Sequence, residues 1–376
     1  MKVPQFMPYV GMDDYEALKE SFEINWITEG PKSKIFNQKI CEKIGVKHGS
    51  FAPNGTLALY LALRALDIGE GDEVIVPNFT FIATANAVEM VGATPVFADI
   101  DEYLQLDADA CEPLVTDKTA AIMPAHLYGF SCNMDKILDF ADRHNLLVIE
   151  DAAQALGVEW KGEKCGSMGD ISCFSFFADK TITTGEGGFV ATDFDSRQER
   201  LMYLRNQGRL DRGTFIHPEI GYNFRMTDIQ SALGLSQLGK FDEIVSRKRE
   251  IHKRYAEMLH GIEEVEVIKP SDDVTSFIPF RAVLITKEDT SDALMAYMKE
   301  NGVEPRTFFY PLHKQPCFSE YIKDERYADY SFEKSIHAYE HGVCLPSFAS
   351  MDMEQVEYVC NTIKNYYAKK GETVNV

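Results

Sequence analysis

Leu147-Val148-Ile149-Glu150-Asp151-Ala152-Ala153-Gln154, followed closely by Gly169-Asp170-Ile171-Ser172-Cys173-Phe174-Ser175-Phe176-Phe177-Ala178-Asp179-Lys180, decides the fold of this chain. The first run stays apolar until it ends in acid, which is how a buried strand reads when its last residue enters a polar site. Upstream the pattern alternates. Residues 57–66 read as a helix, 73–77 as a short buried strand, 82–91 as a helix and 94–99 as a strand. Strands at 119–124 and 146–150 follow, with a helix over 134–144 between them. Such alternation implies a mostly parallel sheet with helices on both faces. Ligands of these sheets bind beyond the strand C-termini, where Asp99, His126 and Asp151 fall.

Downstream, 228–259 reads as one long helical stretch, followed by a strand at 280–285 and helices over 291–301 and 353–367. With 376 residues the chain exceeds one simple core. The expected division is a large domain over 1–245 and a smaller C-terminal α+β domain over 246–376. No run of 18 apolar residues or signal-type N-terminus occurs, so a cytoplasmic protein without a membrane segment is expected. Eight cysteines lie singly with no CxxC spacing, so neither zinc nor a disulfide framework is indicated. A net charge of −21 argues against nucleic-acid binding, which needs phosphate neutralisation by Lys and Arg. Against that background Arg197, Arg200, Arg205, Arg209, Arg212 and Arg225, with His217, form a candidate patch for a phosphorylated substrate.

Asn54-Gly55-Thr56 precedes the first of these helices, where free backbone N–H groups and the helix dipole favour an anion. Asp151 ends a strand, where a carboxylate can pair with a protonated pyridine nitrogen or cap the next turn. Gln154 lies three residues on, within reach of a ring hydroxyl. Ser175 can face a phosphate from an extended 174–177 segment, and Lys180 in the following loop can reach an aldehyde. A desolvated lysine amine is nucleophilic near neutrality, whereas most lysines are merely solvated. Together these residues suit pyridoxal phosphate (PLP) held by Lys180. The glycine run 185–188 is not GxGxxG, and no P-loop occurs, so dinucleotide and NTP readings lose support.

The chain resembles the DegT/DnrJ/StrS sugar aminotransferases, fold-type I PLP enzymes. The resemblance rests on Asn54-Gly55-Thr56-Leu57-Ala58-Leu59, Gly71-Asp72-Glu73-Val74-Ile75-Val76-Pro77, Thr80-Phe81-Ile82-Ala83-Thr84-Ala85-Asn86-Ala87, Glu150-Asp151-Ala152-Ala153-Gln154-Ala155, the Lys180 segment and Gly221-Tyr222-Asn223-Phe224-Arg225-Met226-Thr227-Asp228. It implies an aspartate-aminotransferase-like α/β fold with a mostly parallel seven-stranded sheet. It also implies Lys180 as Schiff-base lysine and acid/base, Asp151 on the pyridine nitrogen, Gln154 on the ring oxygen and Phe81 stacked on the ring. Gly55, Thr56 and Ser175 would hold the phosphate. Asn223 would reach the cofactor of a second subunit, implying a homodimer with shared sites.

Relatives with histidine in place of the lysine act as dehydratases, so lysine at 180 favours transamination, with glutamate as the expected donor. The acceptor implied is a keto-sugar, foremost a nucleotide-linked 4-keto-6-deoxyhexose, used in surface-polysaccharide or glycoconjugate biosynthesis. Thr181-Ile182-Thr183-Thr184-Gly185-Glu186-Gly187-Gly188, Phe309-Tyr310-Pro311-Leu312-His313 and Leu345-Pro346-Ser347-Phe348 are similar to the perosamine-synthase branch. That branch tends to carry an acid where Gln154 stands, which leaves the sugar open. Trp26, Arg225 and His313 are candidate substrate residues. The alternatives are a small phosphorylated ketone or keto-cyclitol as acceptor, or a non-catalytic PLP-binding sensor.

Overall fold

The computed structural model describes residues 1–209, 213 and 215–374, with side chains through 370. Seven strands build the main sheet: β1 (His48–Ala52), β2 (Glu73–Pro77), β3 (Thr94–Ala98), β4 (Thr119–Ile122), β5 (Leu147–Asp151), β6 (Ile171–Ser175) and β7 (Gly188–Thr192). Their spatial order is β1-β7-β6-β5-β4-β2-β3, and only β7 runs antiparallel to its neighbours. Strands such as β2 are buried along their whole length because helices cover both faces, which explains their unbroken apolar runs. This is the doubly covered, mostly parallel architecture expected.

A second sheet contains β8 (Val265–Val267), β9 (Ala282–Thr286), β10 (Arg306–Thr307) and β11 (Gly342–Leu345), all antiparallel in the order β8-β9-β11-β10. It packs with the helices Ser291–Glu300 and Met353–Val374 around a core of its own. The expected single helix over 228–259 is two, Asp228–Gly239 and Phe241–Leu259. Lys240 breaks it at φ −99°, ψ 4°, just after Gly239, and its ammonium turns to Asp14 (2.6 Å) and Asp13 (2.9 Å). A helix-weakening glycine followed by a partly buried lysine that turns to two carboxylates outweighs continued helical bonding.

The 245/246 boundary falls within the helix Phe241–Leu259. Its Phe241, Ile244 and Val245 belong to the main core, whereas Ile251, Tyr255 and Leu259 belong to the second. Val3 pairs with Val303 and lies in that second core. Residues 312–332 return to the main sheet, with Leu312, Phe318 and Phe332 in its core. There they cover the exposed edge of β3: the hydroxyl of Tyr327 accepts the Phe97 N–H (2.7 Å) and that of Tyr330 accepts the Asp99 N–H (2.9 Å). Two side chains thus satisfy edge donors that would otherwise invite pairing with another chain. Asp99, expected at a ligand-facing strand end, is occupied in the same region. It accepts the N–H groups of Lys334 and Ser335 and caps the helix Glu333–His341. No described helix is long and apolar enough to cross a membrane.

Candidate active site

A cavity of about 440 Å³ opens at the C-terminal ends of β2, β4 and β5 and is closed from the other side by Phe280, Arg281, Arg306, Thr307 and Phe309. Its wall begins at the helix Gly55–Ala65. Asn54 caps that helix, taking the Leu57 N–H on Oδ1 (3.0 Å) and the Ala58 N–H on its carbonyl (3.0 Å). The first-turn amides of Gly55 and Thr56, which no helical carbonyl can reach, remain for a ligand. Two glycines set this corner. At Gly188 a Cβ would lie 2.2 Å from the Asn54 carbonyl oxygen, so only glycine lets the helix end meet β7. At Gly55 a Cβ would come within 3.0 Å of Ser175 Cβ and 3.2 Å of its Oγ, filling the space between amides and hydroxyl. The result is a small cradle with N–H and O–H donors, suited to a phosphate.

Asp151 is the last residue of β5. Its Oδ2 accepts from Thr84 Oγ1 (2.8 Å) and its Oδ1 from the Ala153 N–H (3.2 Å). Burial raises its pKa; those two hydrogen bonds and the charge of Lys180 act in the opposite direction. Gln154 accepts the Tyr128 N–H on Oε1 (2.8 Å), so its NH2 is the group left to donate into the cavity. Phe81 lines the cavity, 58% exposed, with its ring 6.4 Å from that of Phe309.

Lys180 sits in the wall, its Nζ 4.6 Å from the Phe280 ring centroid. Its loop is pinned by Phe176 N–H to the Gly187 carbonyl (2.8 Å) and Lys180 N–H to the Phe177 carbonyl (3.0 Å). Burial lowers the lysine pKa and Arg281 lowers it further, while Asp179 and Asp151 raise it. Arg281 is itself paired with Asp179 at 2.5 Å, and both are nearly buried. Arg281 thereby offsets part of the charge of the aspartate beside the lysine. The outcome is an amine nearer neutrality than a surface lysine, across the cavity from a carboxylate and beside an anion cradle.

Gly55, Thr56, Phe81, Asp151, Gln154, Ser175 and Lys180 all line this one cavity. Trp26, Arg225, Asn223 and His313 do not. Trp26 Nε1 donates to the Glu29 carbonyl (3.2 Å), and Arg225 Nε donates to Asn223 Oδ1 (2.7 Å) on an exposed loop. His313 donates its N–H to Asn78 Oδ1 (2.8 Å) and stacks on Phe332 at 4.2 Å; burial holds its pKa down to about 4. The arginine patch is dispersed. Arg197 pairs with Asp170, Arg200 with Glu219 and Asp67, and Arg205 with Glu29, while Arg212 lies outside the described residues.

Several contributors carried no sequence signal of their own. Thr84, which orients Asp151, was visible only within the Thr80-to-Ala87 match. Glu150, fully buried, accepts from the N–H groups of Gly166 (2.6 Å), Met168 (2.8 Å) and Gly169 (2.6 Å) and from His126 Nε2 (3.0 Å). His126 in turn takes the Cys132 N–H on Nδ1 (3.1 Å), so its ring is fixed at the cavity wall. Arg281 could have been found, because an arginine opening an otherwise apolar strand needs a buried partner.

Comparison with known proteins agrees with this geometry. The model of the DegT/DnrJ/EryC1/StrS aminotransferase family matches residues 8–364. GDP-perosamine synthase of Escherichia coli O157:H7 is 40% identical over 370 residues, covering 98% of this chain and 99% of that one. Among solved structures, S. venezuelae DesV in complex with a ketimine intermediate superposes with a TM-score of 0.90 at 28% identity, over 97% of this chain and 98% of that one. Spr1654 of Streptococcus pneumoniae in its PLP form gives 0.92 at 25% identity, over 98% and 99%. This chain belongs to the DegT/DnrJ/EryC1/StrS aminotransferase family.

Proposed function

We propose that this PLP-dependent transaminase moves an amino group from glutamate to the carbonyl of a nucleotide-linked 4-keto-6-deoxyhexose. The observation that carries the reading is the convergence of Lys180, Asp151 and the Gly55-Thr56-Ser175 cradle on one cavity. The donor set fits the cofactor. Gly55 and Thr56 N–H with Ser175 Oγ would hold its phosphate, Asp151 its pyridinium nitrogen, Gln154 its ring oxygen and Lys180 its aldehyde carbon. Bound PLP supplies an electron-withdrawing ring that stabilises negative charge on the substrate carbon. Lys180 Nζ, held toward its neutral form, would take the proton from that carbon and deliver it to the cofactor's aldehyde carbon, and carry it the opposite way in the second half-reaction. Phe81 would stack on the cofactor ring, and Phe309 lines the same cavity.

The 40%-identical GDP-perosamine synthase supports a nucleotide sugar as acceptor. Gln154 is the reason the sugar itself is left open. A bare phosphorylated ketone loses part of its support, because Arg197, Arg200 and Arg205 of the expected patch are paired with carboxylates. Asn223 would serve the cofactor of a second copy. That reading, and a homodimer, is supported by the exposed apolar side chains of the same loop: Phe215 (85%), Ile216 (68%) and Ile220 (80%). The test is a half-reaction screen. Glutamate should bleach the visible absorbance of the PLP-loaded protein, and a GDP- or dTDP-linked 4-keto-6-deoxyhexose should restore it. Restoration by simple ketone phosphates alone would overturn the proposal.

A further inference from the structure

Lys180 and Asp179 also form the wall of a second, smaller chamber of about 20 Å³, lined by Lys248, Ser347, Thr183, Gln237 and the segment 6–9. That volume admits one water molecule, which needs two to four polar partners to be stable in a protein interior. The chamber provides them. Asp179 Oδ1 and Ser347 Oγ are buried and have no protein partner, although Asp179 Oδ2 is bound by Arg281. Lys248 is buried at the same wall and gives two of its three N–H groups to the carbonyls of Pro279 and Phe280, each at 3.4 Å. The other polar side chains are occupied, Thr183 Oγ1 by the Phe176 carbonyl and Gln237 Nε2 by the Tyr9 carbonyl.

We propose that this chamber binds one structural water, held by Asp179 Oδ1, Ser347 Oγ and Lys248 Nζ, and that the water links the amine of Lys180 to that of Lys248. Burial in fact depresses Lys248 to about 7, helped by Arg281 and Lys180 and opposed by Asp179. A lysine lowered in this way can accept a proton as well as donate one. With Lys180 protonated and Lys248 neutral, Lys180 gives a proton to the water while the water gives one to Lys248 Nζ. The water is regenerated and a single charge has moved between the amines. Lys248 is then a positioning residue that keeps Lys180 neutral, on the reading of Lys180 given above; the water site itself does not depend on that reading.

The test has two parts. An atomic-resolution crystal structure of the protein should show an ordered water within hydrogen-bond distance of Asp179 Oδ1 and Ser347 Oγ, and none in Ser347→Val. A dry chamber, or side chains turned to satisfy one another, overturns the site. In the PLP-loaded protein, Lys248→Met should shift the pH midpoint of the visible absorbance upward, and so should Ser347→Val, which removes the water and keeps both amines. An unshifted Lys248→Met midpoint overturns the link. Failure of PLP absorbance in the wild-type protein would instead count against the cofactor reading.

Discussion

Glu150→Gln is the substitution that most sharply tests how the strand before Asp151 is held. In the native carboxylate, Oε1 accepts from Met168 and Gly169, and Oε2 from Gly166 and His126. His126 must donate, because its other nitrogen accepts from Cys132. The amide keeps one oxygen, so two acceptor bonds survive. Its NH2 then faces two donors, the Gly166 N–H and His126 Nε2–H, in a site with no access to water. Leaving two buried donors unpaired costs about 1–3 kcal/mol each, so the variant should lose about 2–6 kcal/mol. Against a total stability of about 5–15 kcal/mol for a folded protein, this should shift a urea midpoint clearly downward. Equilibrium denaturation followed by tryptophan emission measures it. A loss below about 1 kcal/mol would refute the reasoning, because the carboxylate nest would then be dispensable.

Other consequences can be checked alongside. His252 is buried with Nε2 unpaired and packs edge-on against Phe277. Burial lowers its pKa from 6.5 to about 4, so the unfolded chain binds the proton more tightly. Its contribution to stability is therefore complete above about pH 6.5 and is lost as pH falls toward 4. His252→Phe should flatten stability across that window and leave it nearly unchanged at pH above it; an unaltered pH profile would contradict the assignment. Tyr327→Phe and Tyr330→Phe remove the acceptors of the Phe97 and Asp99 N–H groups. Each should cost about 1–3 kcal/mol in thermal or denaturant unfolding, and promote edge-on association at high concentration. No loss in either variant would show that water replaces the hydroxyls.

The strands that carry the site were legible because buried parallel strands are short apolar runs that end in polar residues, as at Ile149-Glu150-Asp151. The cradle was legible for a related reason: Asn54-Gly55-Thr56 combines a cap with two residues that leave space at a helix start. What escaped was everything decided by partners distant in sequence. The break at Lys240 depends on Asp13 and Asp14, more than 200 residues away. The return of residues 312–332 to the β3 edge depends on tyrosine hydroxyls meeting backbone donors, for which no periodicity exists. The arginine run read as a patch because sequence displays charges without their partners, and Asp170, Glu219 and Glu29 cancel three of them. The contacts of His313 with Asn78 and Phe332 were hidden for the same reason.

The central claim is that Lys180, and no other lysine, carries the cofactor. Borohydride reduction of the PLP-loaded protein followed by peptide mass spectrometry tests it directly, since reduction fixes the cofactor to whichever amine holds it. The account predicts the added mass on the peptide containing Lys180 in the native protein, and none in Lys180→Ala. Label on Lys248, the other buried amine of this wall, or label that persists in Lys180→Ala, would contradict it.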